Sequence, residues 1–149
     1  MDEKRQIKAK AYLLIPNNGK VLVHRVLSDD REKDVVRPPG GHIEYGEYSK
    51  ETAKREVKEE LGVGTNGLRL LGPFENIFKD PDGNVYHEII FVYQAGLEDK
   101  AMYEESTVAG TEIDGRKFEM FWVSIQDIQS GKIKFVPNGM DVFLNKLEY

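Results

Sequence analysis

Two hydrophobic periods alternate along this 149-residue chain. Ala9 to Ile15 and Lys20 to Leu27 are β-rich runs on either side of Pro16-Asn17-Asn18-Gly19, which predicts a hairpin. The charged stretch Ser28 to Asp34 reads as a loop, and Val35 to Arg37 leads into the Pro38-Pro39-Gly40-Gly41 turn. From Ser49 to Leu61 the period becomes helical. Ala53, Val57 and Leu61 recur at four-residue steps as an apolar stripe with Lys54 and Lys58 on its far side, and Gly62 follows where a left-handed cap ends a helix. Gly64 to Gly67 opens a loop before Leu68 to Leu71. Glu75 to Phe78 and Val85 to Ala95 then flank Asp80-Pro81-Asp82-Gly83 as a second hairpin whose longer strand is central.

The remainder is less periodic. Glu98 to Gly115 is acidic and reads as a loop, either mobile beside a site or a plain surface excursion. Lys117 to Val123 resumes as a strand, and Ser124 is placed to cap a short helical turn through Ile128 before Gly131. Met140, Phe143, Leu144 and Leu147 recur at i, i+3, i+4 and i+7, which predicts a C-terminal helix lying on the sheet. No internal repeat or low-complexity segment interrupts this order.

Within the Ser49–Leu61 helix, Glu56, Glu59 and Glu60 stand at i, i+3 and i+4, so their side chains fall on neighbouring ridges of one flank. Close carboxylates repel one another unless a cation neutralises them. A hard divalent ion suits three such carboxylates. The chain has no Cys and only three His, so Mg²⁺ or Mn²⁺ fits its oxygen donors better than zinc. Taken alone, these residues describe an ordinary solvated helix. What lifts them above that is the stiff Arg37-Pro38-Pro39 approach followed by Gly40 and Gly41, where backbone can come close to a ligand or metal.

Composition narrows the partners. A hydrophobic content of 40% over 149 residues supports one well-buried core, hence a single domain over residues 1–149. The formal net charge of −5 argues against a nucleic-acid partner and leaves room for a small anionic substrate held through metal. The segment MDEKRQIKAK lacks the apolar core of a signal peptide and no run reaches membrane-spanning length, so the expectation is a cytoplasmic protein with no membrane partner. A homodimer is compatible with these features.

Gly41, Glu47, Arg55, Glu56, Glu59, Glu60 and Gly62, with aliphatic Val57 and Val63, occupy every fixed position of a spaced motif: Gly, five residues, Glu, seven residues, Arg-Glu-aliphatic, one residue, Glu-Glu, one residue, Gly-aliphatic. At a usage of roughly 7% per fixed residue, chance would produce this on the order of once in ten million such chains, so the pattern is specific. It is the Nudix box, and the chain resembles the Nudix hydrolase family, closely over the box and in outline elsewhere. The resemblance implies an α+β class, with an α/β/α sandwich around a mixed β-sheet. It also implies metal-dependent hydrolysis of a phosphoanhydride in a nucleoside diphosphate linked to another moiety. Family members bind Mg²⁺ or Mn²⁺ on the box helix.

Carried over position by position, the resemblance makes Glu56, Glu59 and Glu60 metal ligands, with Glu56 or a loop carboxylate as base and the Gly41 carbonyl as a backbone ligand. Arg55 would orient the glutamates through a salt bridge to Glu47. Glu112 and Glu119 are candidates for an additional acid from a later strand or loop. Arg25 and Arg37 are candidates for phosphate contacts, His42 and His87 for hydrogen bonds to substrate, and Tyr45, Tyr48, Phe74, Phe78 and Tyr86 for stacking a base. Members specialised for ADP-ribose carry a proline about fifteen residues past the box, and those for dinucleoside polyphosphates a tyrosine slightly later. Here Phe78 holds the first place and Lys79 to Pro81 the second, which lowers the weight of both subclasses. Alternatives are a nucleoside triphosphate pyrophosphohydrolase clearing oxidised or surplus nucleotides, and a nucleotide-binding regulatory module without turnover. The intact glutamate set counts against the module.

Overall fold

The computed structural model describes residues 5–26, 35–111, 115 and 117–148. Strand β1 (Ile7–Leu14) lies between β5 (Gly40–His42) and β7 (Val85–Leu97), and β6 (Thr65–Lys79) completes a four-stranded sheet in the order β5-β1-β7-β6. The β1–β7 pairing is parallel and the others antiparallel. A second sheet runs β10 (Lys134–Phe135), β4 (Val35–Arg37), β3 (Lys20–Arg25), β9 (Lys117–Ser124), β8 (Thr107–Thr111), with β2 (Pro16–Asn17) paired to β3.

Side-chain alternation explains the layering. Along β1, Tyr12 and Leu14 enter one apolar cluster while Ala11, Leu13 and Ile15 enter another. On β3, Val21 and Val23 are divided from Leu22 in the same way. Strands buried on both faces need cover on both. Helix α1 (Ser49–Leu61) supplies it on one side, burying Ala53, Val57 and Leu61 against Ala11, Leu13 and Leu97. On the other side α2 (Ile125–Gln129) contributes Ile125 and Ile128, and a 3₁₀ segment (Met140–Lys146) contributes Met140, Phe143 and Leu144. This is the expected α+β sandwich with helices on both faces of mixed sheets.

Several local expectations change. The Pro16–Gly19 turn does pair β2 with β3, but β1 leaves it for the other sheet, so the predicted hairpin is a two-residue joint between sheets. The stretch Gly64 to Gly67, expected as a loop, is largely inside β6, which stays paired to β7 from Thr65 to Lys79 through register shifts between Asn66 and Arg69 and between Leu70 and Gly72. Gly67 (φ 60°) and Gly72 (φ 149°) supply backbone conformations that such irregularities need. The acidic Glu98–Gly115 stretch holds a 3₁₀ turn (Lys100–Glu104) and β8 rather than loop alone. The C-terminal apolar face is present, but as 3₁₀ rather than α-helix, and Leu147 follows it as a buried extended residue. Ser124 caps α2 as expected, its hydroxyl accepting from the Asp127 amide at 3.4 Å. Among the described residues no helix is long and apolar enough to cross a membrane.

Candidate active site

Helix α1 is held at both ends. Glu51 lies in its first turn, where a carboxylate meets the positive end of the helix dipole, and Gly62 closes it at φ 73° with its amide donating to the Lys58 carbonyl at 2.9 Å. Burying Val57 alone contributes about 1.5–3 kcal/mol, which anchors the acidic flank in register with β5. The N-cap residue Tyr48 makes no side-chain cap. Its neighbour Glu47 acts across the first turns of the helix instead.

The Glu47 carboxylate is the anchor of the site. Arg55 donates to it twice, from Nε to Oε2 at 2.8 Å and from Nη2 to Oε1 at 3.0 Å, a two-pronged geometry that only a guanidinium offers. The Thr52 hydroxyl donates to the same Oε1, and the Glu44 amide does so at 3.3 Å. These contacts, Arg55 first and Thr52 second, hold the Glu47 carboxyl down to about 2. Thr52 is fully buried, and sequence reasoning missed it; its signal was a hydroxyl residue beside the apolar stripe, five positions after Glu47.

From that anchor Arg55 reaches the other acids. Its Nη1 donates to Glu56 Oε1 at 3.1 Å and lies 3.3 Å from Glu59 Oε2, while Nη2 donates to the His42 carbonyl at 3.2 Å. Burial pushes the Glu56 carboxyl above its ordinary value, Arg55 opposes the rise and Glu59 adds to it. The guanidinium is pushed the same way, chiefly by its hydrogen bonds to Glu47. Glu47, Glu56 and Glu59 therefore meet around one cation. Among the described residues no three His, Cys, Asp or Glu side chains are arranged as a metal cage, and Arg55 donates to both Glu56 and Glu59.

Gly41 completes the arrangement. It pairs with Ala11 across β1–β5, and a Cβ built on it would lie 2.5 Å from Glu56 Oε1. Only hydrogen fits there. Because the clash is with the mobile end of a side chain, we expect Gly41→Ala to keep the melting temperature within about 2 °C while moving Glu56 and lowering turnover by about tenfold. Parallel melting and kinetic measurements check this; an unchanged turnover would leave Gly41 with a turn-forming role alone.

The remaining candidates are scattered. Glu119 is exposed on β9 and shares the face of Phe121, which packs in the cluster opposite α1, so the structure does not bring it to the box. Glu112 lies outside the described residues. Arg25 is exposed with its guanidinium 5.1 Å from the centroid of the Phe121 ring. Arg37 faces a cavity of about 410 Å³ on the far side of β1 from α1, together with Lys10, Tyr12, Phe78 and Glu88. His87 pairs with exposed Glu75, and Phe74 packs on Phe143 in the core. Phe78 stacks on Tyr86 at the rim of that cavity, whereas Tyr45 and Tyr48 stand exposed beside Glu47. His42 is exposed on β5, its ring held below its ordinary pKa first by partial burial and then by Lys10.

The model of the NUDIX domain matches residues 4–146. The chain belongs to the NUDIX family. It is 38% identical over 88 residues to an ADP-ribose pyrophosphatase of Methanocaldococcus jannaschii, an alignment covering 59% of this chain and 52% of that protein. It is 29% identical over 120 residues to an ADP-ribose pyrophosphatase of Bacillus subtilis, covering 80% and 59%. The chain spans about half the length of the curated relatives it matches. Its fold is similar to that of a MutT NUDIX hydrolase from Burkholderia pseudomallei, with a TM-score of 0.69 at 20% identity over 97% of this chain and 100% of that one. With this NUDIX chain placed in its family, the resemblance carried by Gly41 to Val63 and the geometry around Arg55 point to the same stretch.

Proposed function

We propose that this NUDIX protein hydrolyses the diphosphate of a nucleoside diphosphate linked to another moiety, with ADP-ribose the leading substrate. The observation that carries the reading is the Glu47–Arg55–Glu56/Glu59 network, which fixes the box acids beside the Gly41 backbone. The names of the relatives support ADP-ribose, and the missing proline near Phe78 is the feature that stands against it.

The residues fit a hard divalent cation. Glu56, Glu59, Glu60 and the Gly41 carbonyl are all oxygen donors, and the Glu56 carboxylate lies against Gly41, where a Cβ would be 2.5 Å from its Oε1. Mg²⁺ or Mn²⁺ held there would supply charge neutralisation and activation of water. The protein's own share is positional. Glu47 locks the Arg55 guanidinium, and Arg55 in turn restrains Glu56 and Glu59 so that their carboxylates need little reorganisation during the reaction. Glu56, whose burial raises its proton affinity, is the best placed acceptor for the proton of an attacking water. Water then adds across one P–O–P link, giving two phosphorylated products.

A hydrolysis screen over ADP-ribose, other nucleotide sugars, dinucleotides and nucleoside triphosphates, each with Mg²⁺, Mn²⁺ or EDTA, tests the reading. AMP and ribose 5-phosphate should appear from ADP-ribose with metal and not with EDTA. Release of pyrophosphate from triphosphates alone would favour the MutT-like alternative, and binding without turnover of any compound would favour a regulatory module.

A further inference from the structure

The four-stranded sheet ends at β6, which among the described residues is paired on one side only, to β7. The hairpin turn fixes which of its backbone groups face outward. The Asp80 amide donates to the Asn84 carbonyl at 3.0 Å, so the Asp80 backbone points toward β7. Direction alternates residue by residue along an antiparallel strand, and the register from Gly72 to Lys79 runs without a shift. Phe74, Asn76 and Phe78 therefore turn their N–H and C=O groups to β7, while Pro73, Glu75, Ile77 and Lys79 turn theirs outward. Pro73 agrees with this phase, because a sheet tolerates proline where the missing N–H would face away from the ladder.

An open edge invites a further strand, and proteins usually shield it. The C-terminal segment reaches the earlier half of β6, where Arg69 donates to the Lys146 carbonyl at 2.8 Å and Phe143 packs on Phe74. Further along, Glu75, Ile77, Phe78 and Lys79 are exposed. Ile77 shares a row with its ladder partner His87 and, one strand further, with Ile7; the two isoleucines are 62% and 59% exposed. An apolar side chain at the middle of an open edge does not shield it. Glu75 and Lys79 stand two positions to either side of Ile77 on the same face, with opposite charge. Glu75 directs Oε2 toward His87 at 3.0 Å, yet its side chain stays 68% exposed and can take a second partner.

We propose that two copies of the chain pair through β6 in an antiparallel, two-fold symmetric ladder centred on Ile77. In that register Ile77 meets the partner's Ile77, Glu75 meets the partner's Lys79, and Lys79 meets the partner's Glu75. All are outward-facing positions, so each pair exchanges two backbone hydrogen bonds. The side chains agree as well, with opposite charges across the ladder on either side of an apolar centre. Neighbouring registers fail. A two-fold at Glu75 sets that carboxylate against its own copy and Pro73 against Ile77, one at Asn76 sets Pro73 against Lys79, and one at Lys79 opposes two ammonium groups. The order Glu75, Ile77, Lys79 complements itself when reversed, which selects a second copy over an unrelated strand. Joined this way, the four strands of each protomer form one continuous sheet. The interface does not depend on the hydrolase reading.

Sedimentation velocity on the full chain, over a concentration series to about 200 μM, tests this, with a monomer–dimer equilibrium as the expected result. Glu75→Lys and Lys79→Glu, each checked by melting, set like charges across the ladder and should weaken the dimer about tenfold or more. An equimolar mixture of these two variants, and the double variant Glu75→Lys/Lys79→Glu, restore opposite charges and should return the dissociation constant to within about threefold of wild type. Ile77→Pro removes an N–H that β7 does not use and should abolish the dimer by a separate route. Amide hydrogen exchange locates the contact: protection of the Ile77 and Lys79 amides should rise about fivefold or more with concentration, while Asn76 and Phe78, already bonded to β7, change less. A monomer at every concentration overturns the proposal, as does growth beyond a dimer. So does a dimer that survives Ile77→Pro or both single variants, that neither mixture nor double variant recovers, or whose added protection lies elsewhere.

Discussion

Glu59→Gln and Glu60→Gln are each expected to lower hydrolysis by about a hundredfold or more while the melting temperature moves by no more than about 2 °C. Each change keeps the volume and removes one charge. Glu59 sits on the outer flank of α1, its side chain 35% exposed, and the buried stripe of Ala53, Val57 and Leu61 is untouched. Stability should hardly respond, because the surrounding acids repel one another and losing one carboxylate relieves part of that repulsion. Turnover measured against Mg²⁺ concentration separates the roles: a loss partly restored by excess metal marks a weakened ligand set. Near wild-type turnover at limiting metal in both variants would sink the metal assignment. A large melting loss would instead make these residues structural.

Arg55→Lys should reduce kcat by about 10–100-fold with KM changed by less than about threefold. The guanidinium serves Glu47 with two donors, Glu56 and Glu59 with a third, and the His42 carbonyl as well. An ammonium keeps the charge but cannot span these partners. Glu47→Gln should produce a similar split, and the double variant should be less impaired than the product of the two single losses, since both remove one linkage. A rise in KM with unchanged kcat would place Arg55 on the substrate and refute its positioning role.

The box helix was readable from the chain because its apolar stripe, its acidic flank and its terminal glycine follow from one period, and the structure places Ala53, Val57, Leu61 and Gly62 accordingly. The Arg55–Glu47 pair was readable only through the family resemblance, since eight residues of separation span a turn whose path no local pattern dictates. What escaped was tertiary. A turn such as Pro16–Gly19 has the same local chemistry whether or not its flanking strands share a sheet, so the split between β1 and β3 left no mark. Strand β8 is short, with small Ala109 and Gly110 and no alternating pattern, and it becomes a strand by pairing with β9. The spacing of Met140, Phe143 and Leu144 suits a 3₁₀ segment as well as an α-helix. Lys10 with Glu88 and His24 with Arg37 meet only once the sheets have formed, so the cavity was invisible in advance.

The parallel ladder of β1 on β7 joins partners such as Ile7 and His87, eighty positions apart. Loop closure grows by about 0.6 kcal/mol per doubling of length, so this pairing carries an entropic burden about 2–3 kcal/mol above that of the tight β6–β7 hairpin. The hairpin can form early, on its own, while β1 must wait for it. Gly41 is seated by β1, and α1 rests on Ala11 and Leu13, so the box reaches its final geometry late in folding. A nascent chain would hold β1 and the acidic helix once Leu61 is added, but could not form the parallel ladder until β7 is complete at Leu97.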